Sequence, residues 1–166
     1  MIWQNAMSYG AILGLSLVFL SVLGYILDIQ DSVIIGMLNY VVMAVLLFMG
    51  SKTFRDKYLN GYIKYGKALA SSFLIGLFGG IILAFYIYIF MKYIDPSILE
   101  KMKIMTEQKM IDRGLPDDQV DISLKMINAG IIAVGTIFSF AFWSFIFGLI
   151  IAFFVRKENE GGKITA

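Results

Sequence analysis

Four long apolar runs, at residues 6–27, 33–50, 68–91 and 126–155, contain no Asp, Glu, Lys, Arg or His, and nothing else in the chain narrows its fold so far. Each run is near or above the roughly 18 apolar residues that mark a candidate membrane-spanning helix. In hydrocarbon every backbone N–H and C=O must find a partner within its own segment or around a closed barrel, because no water is there to solvate it. Uninterrupted apolar runs satisfy this as helices, whereas a barrel strand alternates apolar and polar residues over only about ten positions. The expected fold is all-α and polytopic: one membrane domain over residues 1–166, with four transmembrane helices.

Hydrophobic residues make up 59% of the 166, more than a soluble domain of this length buries around one core, so lipid must supply the missing apolar surroundings. The chain has neither Cys nor His. That removes disulfides, thiolate nucleophiles, zinc hydrolase sites and Ser-His triads, and leaves no redox compartment to infer. An enzyme is not expected, and neither is a cofactor or a metal. The Met102-x-x-Met105 spacing invites a Cu(I) thioether set, but methionine ordinarily fills irregular apolar contacts. A net charge of +2 is too balanced to imply a nucleic-acid partner. Residues 1–5 carry no Lys or Arg, and the first run exceeds the roughly 7 to 15 residues of a signal-peptide core, so it reads as a retained span.

Charge sets the expected topology. Loop 51–67 carries five basic residues, Lys52, Arg55, Lys57, Lys64 and Lys67; residues 92–125 carry six, spread over a longer stretch. Placing the dense cluster with Arg156 and Lys157 on the cytoplasmic side puts both termini inside a cytoplasmic membrane, as the positive-inside rule prefers. Trp3, Phe54, Tyr58, Tyr62 and Tyr65 are the expected inner aromatic belt, and Tyr86, Tyr88 and Tyr93 the outer one. Asn60-Gly61 signals a tight turn in the basic loop. That loop has two readings, a topology anchor or a surface that recognises anionic lipid.

Residues 92–125 predict an external amphipathic helical hairpin between spans three and four. Asp95-Pro96 reads as a cap with proline at the first helical position, and Gly114 and Pro116 as the stop. Ile98, Leu99, Met102, Met105 and Met110 are the expected apolar face, turned to the bilayer surface or the spans. Asp117 or Asp118 is expected to cap a second helix that continues directly into the fourth span.

Within the spans, Gly10, Gly14, Ser21 and Gly24 on the first and Gly76 and Gly80 on the third are candidate close-packing positions, since a missing Cβ lets backbones approach. Packing within the chain is the expectation, with homodimerisation as the alternative. Asn39 stands apart, because its amide in mid-membrane calls for a partner on another span. Residues 8–27 and 64–83 align at Tyr9/Tyr65, Gly10/Gly66 and Gly24/Gly80, the echo that a duplicated helical hairpin would leave.

The segments Phe54-Arg55-Asp56-Lys57 with Gly61-Tyr62-Ile63-Lys64-Tyr65-Gly66-Lys67-Ala68, and Tyr93-Ile94-Asp95-Pro96 with Glu107-Gln108-Lys109-Met110 and Arg113-Gly114-Leu115, resemble the small membrane family catalogued as domain of unknown function 4199. The resemblance covers nearly the whole chain. It implies a four-span inner-membrane protein of Bacteroidota-type bacteria, and no catalytic residues come with it. The functional expectation is a structural, assembly or regulatory partner of another membrane component, with lipid and a membrane protein or a second copy as neighbours. A small transporter or channel subunit is the alternative, and a lipid-modifying enzyme using Asp28, Asp31 and Asp95 at the interface is a third reading.

Overall fold

A computed structural model describes residues 1–29 and 32–157, so Asp31 and the chain beyond Lys157 lie outside the described residues. The elements are helical: α1 (Ile2–Ile26), α2 (Val33–Thr53), α3 (Tyr65–Ile89), α4 (Ser97–Asp112), α5 (Asp117–Met126) and α6 (Ala129–Val155). A π-helical turn, Phe54–Tyr58, prolongs α2, and another, Phe90–Ile94, prolongs α3. Among the described residues four helices are long and apolar enough to cross a membrane: Ile2–Ile26, Val33–Tyr58, Tyr65–Ile94 and Ala129–Val155.

The chain divides into two compact units. Among the described residues the first comprises 1–83 and 138–157. Its core is built where Leu13, Leu17, Met43, Leu47, Ile75 and Ile151 are buried. Between α1 and α3 the packing is close enough to require glycine. A Cβ on Gly10 would fall 2.5 Å from Phe78 Cβ, and one on Gly14 would fall 2.7 Å from Ile82 Cβ. Removing Cβ at these positions lets two parallel backbones meet and gain dispersion contacts that lipid would otherwise supply. On the α3 side the complementary residue is Gly79, against Leu13 and the Gly10 carbonyl, while Gly76 faces α6 and would collide with Ser144. The sequence pairs Gly76 with Gly80, but the glycine that meets α1 is Gly79; Gly24 and Gly80 are buried and Ser21 is half-buried.

Register bears on the suspected duplication. Gly10 lies beside Phe78 and Gly14 beside Ile82, an offset of 68 positions, whereas the sequence echo pairs Gly10 with Gly66, an offset of 56. Repeats related by an axis along the membrane normal would hold equivalent residues at equal depth. Here the echoed positions are displaced by about a dozen residues, roughly 18 Å along a helix. Gly66 also has open space where Gly10 has a neighbouring helix.

A cleft of about 400 Å³ lies between α1 and α2. Seven apolar side chains, among them Leu20, Leu38 and Val42, line it with Ser16. Tyr40 of α2 packs edge-on against Trp143 of α6, with ring centroids 5.5 Å apart.

The second unit, Ala84–Ile137, holds the end of α3, helices α4 and α5 in mutual contact, and the start of α6. Helix α4 stops as its glycine predicts. Gly114 has φ +69°, its N–H bonds to the Ile111 carbonyl at 2.8 Å, and the Leu115 N–H reaches Met110 at 3.1 Å, a Schellman ending. Pro96 stands at the cap position and the helix begins at Ser97, one residue later than the sequence suggests; Asp95 Oδ1, just before it, accepts from the Ser97 N–H at 3.1 Å.

Two expectations change here. Asp117 and Asp118 sit in the first turn of α5, following Pro116 at the cap position, so their charge faces the positive helix end without a capping bond. The second helix does not run into the fourth span, because the chain breaks at Ile127 and Asn128 and α6 starts at Ala129. Asn128 Oδ1 accepts from the Ile131 N–H at 3.0 Å, which makes this residue a helix cap and not a polar group inside a span. On α4, Ile98, Leu99 and Met110 are half-buried against the protein, whereas Met102 and Met105 are exposed.

Candidate functional site at the basic end

The polar contacts of the first unit gather at one end. Asn5 Nδ2 donates to the Gly50 carbonyl at 3.0 Å, the Tyr9 and Thr53 hydroxyls lie 2.8 Å apart, and Ser51 and Ser72 share a buried hydroxyl bond of 2.8 Å. Each joins two different helices, and each satisfies a polar atom that would otherwise be stranded in apolar surroundings. Asn5 and Ser51 flank the runs that the sequence marks as spans, and nothing in their spacing announces their partners, Gly50 and Ser72. Deeper in the spans, Thr136 and Ser144 bond back to carbonyls one turn earlier, at Ile132 and Phe140, as hydroxyls in helices commonly do.

The basic loop is tied down. Leu59-Asn60-Gly61-Tyr62 forms the turn its sequence announces, with φ values of 52° at Asn60 and 83° at Gly61 and a 3.0 Å bond from the Tyr62 N–H to the Leu59 carbonyl. Immediately afterwards Ile63, which is buried, makes an antiparallel bridge with Lys157. The Ile63 N–H reaches the Lys157 carbonyl at 2.8 Å and the Lys157 N–H reaches Ile63 at 3.0 Å. Two further contacts join the same elements. Arg55 Nη1 donates to the Val155 carbonyl at 3.1 Å, placing a cation at the negative end of α6, and the Tyr65 hydroxyl donates to Leu149 at 3.0 Å.

This clasp sorts the cations. Arg55 is engaged with Asp56, at 2.7 Å from Nε to Oδ1. Lys52 and Lys157 lie within coulombic range of the same carboxylate. Lys52, Lys57, Lys64 and Lys67 are exposed, as are Arg156 and Lys157. Lys157 Nζ sits 5.7 Å from the Tyr62 ring centre and the Arg156 guanidinium 5.3 Å from that of Phe153. Trp3 and Tyr62 are exposed at this end, but Phe54 is buried beside Tyr58 and belongs to the packing, not to an interfacial belt.

The second unit shows a parallel correction. Tyr88 accepts a bond from Lys92 at 2.7 Å and Tyr93 is exposed, whereas the Tyr86 hydroxyl is buried without a hydrogen-bond partner among the described residues. Asn39 Oδ1 and Ser71 Oγ share that condition, so the inter-span partner expected for the Asn39 carbonyl oxygen is not among the described contacts. Of the acids offered for interfacial chemistry, Asp28, at φ 53°, turns the chain after α1, and Asp95 accepts from the Ser97 N–H at the start of α4.

Four apolar helices of spanning length, glycine-mediated contacts and a basic clasped end define a multi-pass helical membrane protein. The family model described as Protein of unknown function (DUF4199) matches residues 8–157, and the chain belongs to that family. The match ends at Lys157, so it takes in both halves of the clasp. No curated protein and no solved structure matches the chain.

Proposed function

We propose that the chain is an integral protein of a bacterial cytoplasmic membrane that serves as a structural, assembly or regulatory partner of another membrane component, without catalytic activity of its own. The close helix contacts of the first unit carry this reading: Gly10, Gly14, Gly76 and Gly79 bring helices together where a Cβ would not fit. Helices held this closely suit a rigid platform, and the cleft between α1 and α2 is apolar but for Ser16, a poor lining for a polar solute. The basic end is read as cytoplasmic, with both termini on that side and the α4–α5 hairpin outside. Crosslinking in native membranes, followed by identification of what is captured, tests the reading. A stoichiometric membrane protein is the expected result; capture of the chain by itself alone points to a homo-oligomer and overturns the partner reading. A reporter fused after the last residue should be active only in its cytoplasmic form.

A second reading, a small transporter subunit, draws on the unpartnered Asn39 Oδ1 and Ser71 Oγ inside the spans. Solute flux into proteoliposomes that is lost on Ser71→Ala would favour it.

A further inference from the structure

We propose that the patch formed by Lys64, Lys67, Arg156 and Lys157 is a binding site for the phosphate head groups of anionic phospholipid, assembled by the Ile63–Lys157 bridge. The inference goes beyond the scaffold reading and does not depend on it. In the sequence the loop cations and Arg156-Lys157 belong to separate segments, and a topology anchor would need no more than that. The bridge brings the two segments together, with Lys64 and Arg156 next to the bridged pair and Lys67 about one turn further along, all of them exposed. Asp56 offsets that surface only in part: both its oxygens are bonded to Arg55, at 2.7 and 3.2 Å, while Lys157 lies within coulombic range of it. Among the described residues none of the four patch cations is in an ion pair.

The neighbouring apolar groups identify the source of the phosphate. Arg156 lies over Phe153, and Phe153 and Phe154 are 61% and 70% exposed on the last turn of a helix of spanning length. A ligand whose charge meets Arg156 and Lys157 therefore continues onto surface suited to acyl chains. Lipid combines these two chemistries in one molecule, and free phosphate or a soluble acidic protein offers only the first.

The test uses the full chain reconstituted in phosphatidylcholine, with spin-labelled phosphatidylglycerol or phosphatidylcholine reporting the lipids held at the protein. Phosphatidylglycerol should be preferred by roughly fivefold, a preference that 1 M salt should largely abolish by screening. Lys64→Gln with Lys157→Gln should bring the ratio close to one, while Lys101→Gln with Lys103→Gln, which removes the same charge from α4, should leave it. Should the first pair disturb folding, as judged by helix content, Lys64→Gln with Lys67→Gln gives the same reading. Equal loss in the patch and α4 pairs would mean a general charge effect, and absence of any preference would also overturn the site. Displacement of the labelled lipid by millimolar inorganic phosphate would assign the patch to the free anion and overturn the lipid.

Discussion

Ile63 and Lys157 exchange both backbone hydrogen bonds, at 2.8 and 3.0 Å, and so fasten the loop between α2 and α3 to the end of α6. Ile63→Pro removes one donor and leaves the Lys157 carbonyl without it, at a cost of about 1 kcal/mol or more. Amide exchange at Lys157, whose N–H reaches the Ile63 carbonyl, should then quicken by roughly tenfold while the amides of α1 are unchanged. Lys64→Ala, one position on, leaves the bridge intact and should not alter that exchange.

The α1–α3 contact makes opposite forecasts for different glycines. Gly10→Val places a branched side chain where even a Cβ would meet Phe78 and the Ile75 carbonyl, so the helices must separate. A loss of roughly 1 to 3 kcal/mol is expected in detergent unfolding. Gly36→Ala on α2 meets open space and should be neutral or slightly stabilising, as helix propensity alone would make it.

Gly114 supplies the left-handed residue that ends α4, at φ +69°. Gly114→Ala forces an L side chain into that conformation and should destabilise the α4–α5 connection by about 1 kcal/mol. Site-specific exchange at Leu115, whose N–H bonds to Met110, should rise, whereas Gly130→Ala should leave it unchanged.

The spans, the Asn60-Gly61 turn and the Gly114 stop were legible because each rests on local chemistry: the absence of charge over a bilayer's thickness, or a backbone conformation that few residues adopt. The break at Ile127 and Asn128 was not, since an apolar run looks the same whether or not an asparagine inside it turns back to cap a helix. Partner choice among glycines was hidden for a related reason. Gly76 and Gly80 have the spacing of a contact motif, yet which neighbour each meets depends on helix rotation, and rotation gives Gly79 to α1 and Gly76 to α6. The basic end was half legible. Its charges were plain in the sequence, but the clasp that gathers them comes from a single bridge between two segments that share no pattern.

Rotation also yields the sharpest test of the α3–α6 contact. A Cβ on Gly76 would collide with both Ser144 Oγ and Ser144 Cβ, and its next neighbour, the Phe140 carbonyl, is a comfortable 3.6 Å away. The obstruction is therefore one side chain. Gly76→Ala alone should cost about 1 to 3 kcal/mol by overpacking. Ser144→Gly alone removes a buried hydroxyl that is already bonded to its own helix and leaves a small void, at a cost of about 1 kcal/mol. Together they replace a hydroxymethyl group on α6 by a methyl group on α3 at the same contact, so the double variant should be more stable than Gly76→Ala by itself. Unfolding of the four proteins gives the coupling directly, and a favourable interaction of about 1 kcal/mol or more is expected. Strictly additive losses would mean that α3 and α6 do not meet at this pair.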